Sequence, residues 1–214
     1  MPAPSIKICG ITTSDALDAA IRARATHVGF NFFPPSPRFL AHADAPALAA
    51  QAEGRLTRVG VFVDADDAFI ADAVNAARLD AIQLHGKETP ERAAQVRARF
   101  GKPVWKVISV ASAADIARAD SFADVADFLL FDAKTPKDAA LPGGLGLVFD
   151  WNLMRGYRGA LPWGLAGGLS PSNVAEALRG TGTALVDVSS GVENAPGVKD
   201  ADRIRTFCFN ARNA

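Results

Sequence analysis

Short runs rich in Val, Ile and Phe alternate along this chain with Ala-rich stretches of helical character. Eight runs read as strands: Ile6 to Gly10, His27 to Phe32, Arg58 to Val63, Ala81 to His85, Val104 to Val110, Phe128 to Asp132, Pro162 to Ala166 and Ala184 to Ser189. Between most of them the pattern predicts a helix, as over Ser14 to Ala25, Asp67 to Ala77, Pro90 to Phe100 and Pro171 to Leu178, with a closing helix over Asp200 to Phe207. Strict alternation of the two kinds of element implies a parallel sheet with helices outside. A strand-plus-helix unit every ~27 residues, eight times over, matches the smaller end of the (β/α)8 TIM barrel. An open doubly wound sheet is the alternative. It would normally carry G-x-G-x-x-G after its first strand, where this chain reads Gly10-Ile11-Thr12-Thr13-Ser14. Two stretches are irregular: a short fifth helix over Ala111 to Ala119, and a Gly- and Pro-rich loop over Ala133 to Leu147. No linker interrupts the pattern, so residues 1–214 are expected to form one α/β barrel.

Alternation within each strand then assigns faces. Ile6 and Ile8 must meet the helices, which turns Lys7 and Cys9 inward. The same reading turns in Asn31, Gln83 and His85, and groups Asp132 with Phe128 and Leu130. It also groups Asp187 with Leu185 and Ser189. Barrel interiors are normally filled by branched apolar side chains, but here the inward set becomes polar toward the C-terminal ends of the strands, where such barrels hold their active sites. A buried ammonium needs a partner. Strand eight closes onto strand one, so Asp187 is the natural partner of Lys7. Trp105, Trp151 and Trp163 are expected between barrel and helices, and His27 and His42 read as structural or exposed.

Composition narrows the function. The chain has 214 residues, nearly half of them apolar, with zero formal net charge and no block of like charges. That is enough to bury a core and disfavours a nucleic-acid partner, which needs clustered Lys and Arg. No apolar run approaches the roughly 20 residues of a membrane span, and the N-terminus lacks the pattern of a secretory signal. Cys9 and Cys208 lie at opposite ends of the chain and read as free thiols in a reducing compartment. A cytoplasmic protein is expected. No His, Cys, Asp or Glu cluster has metal-ligand spacing, so no metal is expected.

The two loops after the last strands carry the strongest chemical signal. Gly167-Gly168-Leu169-Ser170-Pro171 follows strand seven, and Ser189-Ser190-Gly191-Val192-Glu193 follows strand eight. Glycines let backbone approach a ligand closely, and Ser170 with Pro171 suits the start of a helix, whose free N–H groups favour an anion. In this fold these two loops commonly hold a phosphate. Cys9 and Asp132 end well-separated strands and face one pocket, as a base and an acid for a sugar phosphate isomerisation must. Lys7 on the same face is expected to favour the Cys9 thiolate. Arg38, in Ser36-Pro37-Arg38, is placed to pair with a substrate carboxylate, and His85 reads as a hydrogen-bonded interior residue.

These residues together resemble the phosphoribosylanthranilate isomerase family of tryptophan biosynthesis. The resemblance runs from Lys7 to about Asp200, through Lys7-Ile8-Cys9-Gly10-Ile11, Gly29-Phe30-Asn31-Phe32 and Gln83-Leu84-His85-Gly86. It continues through Asp132 before Gly143-Gly144, then Phe149-Asp150-Trp151, Leu165-Ala166-Gly167-Gly168-Leu169 and Val186-Asp187-Val188-Ser189-Ser190-Gly191-Val192-Glu193. It implies an intramolecular oxidoreductase of the aldose–ketose type. Such an enzyme carries out an Amadori rearrangement of N-(5-phosphoribosyl)anthranilate to 1-(2-carboxyphenylamino)-1-deoxyribulose 5-phosphate, without metal or organic cofactor. By this resemblance Asp132 protonates the ribose ring oxygen, Cys9 takes the proton from C2 of the Schiff base, and Arg38 holds the anthranilate carboxylate. Gly167, Gly168, Ser189, Ser190 and Gly191 hold the phosphate, and Lys7, Asp187, His85 and Gly144 are expected as supporting residues of the site. The expected partner is a small molecule, with no nucleic acid or membrane, and the protein is a monomer or homodimer. Where the family usually has a small hydroxyl residue between glycines, this chain carries Leu145, which leaves backbone contacts at that loop. Two rival functions are a histidine-pathway sugar-phosphate isomerase and a non-catalytic barrel that binds a phosphorylated ligand. The first would carry Asp where Cys9 stands and a second phosphate loop after strands three and four; the second would need neither Cys9 nor Asp132.

Overall fold

The computed structural model describes residues 3–134, 146–155 and 157–214. Eight parallel strands close into a barrel in sequence order: β1 (Ser5–Cys9), β2 (His27–Asn31), β3 (Thr57–Phe62), β4 (Ala81–Leu84), β5 (Val104–Val110), β6 (Phe128–Ala133), β7 (Trp163–Leu165) and β8 (Leu185–Val188). The ring shuts where β8 pairs with β1, with Lys7 opposite Asp187. Among the described residues seven helices surround it: α1 (Ser14–Arg22), α2 (Ala45–Ala52), α3 (Asp67–Ala77), α4 (Pro90–Phe100), α5 (Ala113–Ala117), α6 (Val174–Thr181) and α7 (Ala201–Arg212). Between β6 and β7 the described residues hold only a 3-10 turn, Trp151–Met154. A short hairpin, β9 (Glu193–Ala195) and β10 (Val198–Lys199), follows β8. No helix among the described residues is long and apolar enough to cross a membrane.

Helix ends follow local chemistry. Thr13, Asp66, Thr89 and Asp200 each accept a hydrogen bond from a first-turn N–H, at the starts of α1, α3, α4 and α7. Helix α1 stops short of Ala25 because Arg24 takes a left-handed φ of 55°. Helix α7 runs beyond Phe207 because Cys208 and Ala211 are also buried. Helix α6 departs from expectation at its start. Ser170 does not cap it and Pro171 is not its first residue; the Asn173 side chain instead folds back, accepting from Ser170 N at 2.8 Å and donating to Gly168 O at 3.0 Å. With these bonds tying Asn173 back to the loop, the helix begins at Val174.

The apolar core has two layers. The larger lies between strands and helices and takes Ile6, Ile8, Phe30, Leu84, Phe131 and Phe207. The smaller fills the barrel with Val59, Ala81, Trp105, Val107, Leu130 and Leu185. Trp105 is therefore inside, contrary to the expectation that it packs outward, whereas Trp151 and Trp163 do pack against the outer layer. Strand β5 carries one polar residue on each otherwise apolar face, Lys106 and Ser109, so alternation alone does not assign Trp105. The barrel accommodates it in contact with Phe128, at a ring separation of 4.5 Å, and His27, at 5.4 Å.

His27 gives the floor of the barrel a measurable pH dependence. Burial, with Lys7 nearby, depresses its pKa from 6.5 to about 4. The proton therefore binds the unfolded chain more readily. Stability is complete above about pH 6.5 and is lost as pH falls toward 4, by about 2 kcal/mol between pH 7 and pH 5. Urea titrations at those two pH values should show this loss in the native chain and a much smaller one in His27→Gln. An equal loss in both would locate the effect elsewhere.

Candidate active site

The pocket at the C-terminal ends of the strands is lined by Cys9, Asn31, Arg38, Gln83, His85 and Asp132, and by Gly167, Gly168, Asp187, Ser189 and Ser190. Gly191 lines an adjoining hollow with Gly168, Leu169 and Ser190. Lys7 lies in the barrel interior and is fully buried. The structure thus brings the sequence-derived candidates into one place. Gly144 lies outside the described residues.

Lys7 Nζ donates to Asp187 Oδ1 at 3.1 Å. Burial works against the ammonium, but Asp187 and Cys9 beside it more than offset that, so its pKa lies above the ordinary lysine value. For Cys9 the balance is reversed. Burial pushes the thiol up, and Lys7 pulls it down without overcoming that burial. The expectation that Lys7 favours the thiolate holds for its own contribution and not for the net result, because dehydrating a thiolate costs more than one cation already shared with Asp187 returns. The other cation acting on Cys9 is Lys199, whose own pKa is lowered by burial.

Asp132 is the penultimate residue of β6 and is buried. Its Oδ2 lies 3.2 Å from His85 Nε2, without the alignment of a hydrogen bond. The turn that follows His85 is braced from beneath. Lys106 Nζ donates to Gly86 O at 2.8 Å and to Glu88 at 2.7 Å, and Glu88 accepts from Gly86 N and Asp64 N.

Arg38 is buried and grips Glu193 with two nitrogens, Nε to Oε1 and Nη2 to Oε2, both at 2.7 Å. Glu193 also accepts from Lys199 Nζ at 2.7 Å, and Lys199 donates onward to the Ser189 carbonyl at 3.0 Å. Burial alone would raise the Glu193 carboxyl, but Arg38 and Lys199 hold it below its usual value. Glu193 and Lys199 were missed by sequence reasoning as site residues. The available signal was a lone Glu ahead of the Pro196-Gly197 turn, and its partner Arg38 lies 155 residues away.

The two glycine loops touch each other. A Cβ on Gly191 would strike the Leu169 carbonyl oxygen. Gly167 has φ of 81°, and a Cβ there would strike Ala133 N and approach Asp132 Oδ1. Both positions need glycine. Among the described residues, the backbone N–H groups of Gly168, Leu169, Ser190 and Gly191 have no backbone acceptor. Four such donors on two loops that touch each other suit an anion.

Comparison with known proteins agrees with this geometry. Residues 6–210 match the family model for N-(5'-phosphoribosyl)anthranilate (PRA) isomerase. A protein of that name from Paramagnetospirillum magneticum is 55% identical over 207 residues, covering 97% of this chain and 96% of its own. The crystal structure of phosphoribosyl anthranilate isomerase from Thermotoga maritima superposes with a TM-score of 0.89 at 36% identity, covering 99% of this chain and 100% of that one. A second structure of such an enzyme, in complex with reduced 1-(o-carboxyphenylamino)-1-deoxyribulose 5-phosphate, gives 0.86 at 34% identity, again covering 99% and 100%.

Proposed function

The chain belongs to the N-(5'-phosphoribosyl)anthranilate isomerase family, and from that premise we propose which of its residues carry the reaction. The protein is the tryptophan-biosynthesis isomerase that rearranges N-(5'-phosphoribosyl)anthranilate, and its substrate is a small phosphorylated molecule. The observation that carries the assignment of roles is that Cys9 and Asp132, from strands far apart in the ring, line one pocket whose rim is the pair of glycine loops.

The substrate presents three handles. Its phosphate goes to the N–H groups of Gly168, Leu169, Ser190 and Gly191, with Ser189 and Ser190 hydroxyls at the same rim. Its anthranilate carboxylate goes to Arg38, whose grip on Glu193 fixes the guanidinium plane in advance, so that little order is lost on binding. The ribose then lies between Asp132 and Cys9. Asp132 gives its proton to the ring oxygen as the C1–O bond breaks, leaving an open-chain cationic Schiff base. Cys9 takes the proton from C2, the electron pair moves toward the iminium nitrogen, and the enol that results becomes the ketone. A thiol held neutral in the free barrel is suited to this order of events, because the iminium cation formed in the first step favours the thiolate at the second. His85 sits beside the Asp132 carboxyl, and Lys7 with Asp187 supports Cys9 from below. We place the reaction in the cytoplasm.

Conversion of fluorescent phosphoribosylanthranilate tests the assignment. The purified protein is expected to consume it without added cofactor. No turnover would remove the basis for every role given above.

A further inference from the structure

We propose that Gln83 is a specificity-determining contact of this site, its side-chain amide holding a ribosyl hydroxyl of the open-chain intermediate. The inference rests on the reading of the pocket given above and adds to it a residue that the acid, base, carboxylate and phosphate assignments leave unused.

Gln83 sits on β4, two residues before His85 and on the same face, in register between Val61 of β3 and Trp105 of β5. In a ring of eight strands β4 lies across from β8, which carries Asp187 and leads to the phosphate loop. The residue is 1% exposed and lines the pocket. Neither Nε2 nor Oε1 has a hydrogen-bond partner among the described residues. His85 Nε2, two residues along the same face, is likewise without a hydrogen-bond partner but lies 3.2 Å from Asp132 Oδ2, whereas other polar neighbours in the wall are bonded within the protein. Asn31 is bonded to Ser36 and to Phe33 N, Arg38 to Glu193, Asp187 to Lys7, and Ser189 to the Cys9 carbonyl.

Buried polar groups are almost always paired, and this interior position is normally filled by a branched apolar side chain. An amide kept there unpaired weakens the fold and calls for a ligand. Its chemistry selects which part of the substrate that is. The amide offers one acceptor and one donor group side by side. Phosphate and carboxylate only accept and would leave Oε1 unpaired. A secondary hydroxyl donates and accepts, so it satisfies both atoms, whichever way the amide is turned. The ribosyl hydroxyls are the groups of that kind that the substrate brings between Cys9 and Asp132.

The test is Gln83→Met, which keeps the length of the side chain and removes both polar atoms, with Gln83→Leu as a second variant. Two measurements on each separate the proposal from simple packing. Steady-state conversion of phosphoribosylanthranilate should show kcat/KM lowered by about tenfold or more, mainly through kcat, because the contact forms on the opened sugar. Thermal midpoints should equal or exceed that of the native chain, since an unpaired buried amide has been removed. Rates within twofold of native in both variants would overturn the proposal. So would activity lost together with several degrees of thermal midpoint, or failure of both variants to fold, since either makes Gln83 a packing residue. If the native protein itself does not turn over, the reading of the site fails and this inference fails with it. Native turnover with unchanged variants removes this inference alone.

Discussion

Asp187→Leu is expected to destabilise the barrel by about 3–5 kcal/mol, the usual consequence of breaking a buried ion pair from one side. The two partners face each other across the seam where β8 closes onto β1, and the Lys7 side chain is wholly buried with its Nζ 3.1 Å from Asp187 Oδ1. Removing the carboxylate leaves the ammonium in the barrel interior without a charged partner, with Cys9 beside it. The loss comes from that stranded charge and not from the strength of the pair itself. The pair, exchanged whole for apolar residues, should therefore restore much of the stability. Urea unfolding of Asp187→Leu and of the Lys7→Met/Asp187→Leu double variant measures both statements. A single variant that loses less than about 1 kcal/mol, or a double variant no better than the single, would show that Lys7 is not held by this partner.

That pair was legible in the sequence because two independent rules meet there. Alternation turns Lys7 inward, and closure of a (β/α)8 barrel sets strand eight beside strand one. The eight strands were legible for a similar reason: each is a short apolar run between turn residues, and parallel strands buried on both sides need no finer pattern. The same property hid Trp105. With one polar residue on each face of β5, Lys106 and Ser109, which face turns inward depends on whether the barrel has room for an indole, and room is a tertiary quantity. The start of α6 is not legible because Ser170-Pro171 has the chemistry of a helix start, while the competing bonds of Asn173 to Gly168 and Ser170 depend on how the loop after β7 folds. Arg38 was found by position, but its partner was not. Glu193 and Lys199 reach it only through a hairpin that folds back over the barrel mouth. Gln83 was assigned an inward face by alternation, yet its unpaired amide became visible only once the neighbours that fail to bond to it were in place.

The largest kinetic effect is expected at Asp132. Asp132→Asn keeps the volume of the side chain at the end of β6 and its neighbours His85 and Gly167, but it has no acidic proton to give. If Asp132 opens the ribose ring, kcat/KM falls at least about a hundredfold, close to 3 kcal/mol in the barrier, while thermal stability changes little. Cys9→Ala should lose a comparable factor for a different reason. The ring can still open, but nothing then takes the C2 proton. The two variants are therefore distinguishable by what they accumulate. With Cys9→Ala, substrate labelled with deuterium at C2 should keep its label through a single turnover attempt, and the open-chain Schiff base should build up. With Asp132→Asn the sugar should stay closed. Native rates in either variant would remove that residue from the chemistry. Equal losses with no open-chain species in either would move both residues from proton transfer to binding. Proton transfer is the reading we propose: Asp132 and Cys9 line one pocket from different sides of the ring, and phosphate at the glycine loops with carboxylate at Arg38 would leave the sugar between them.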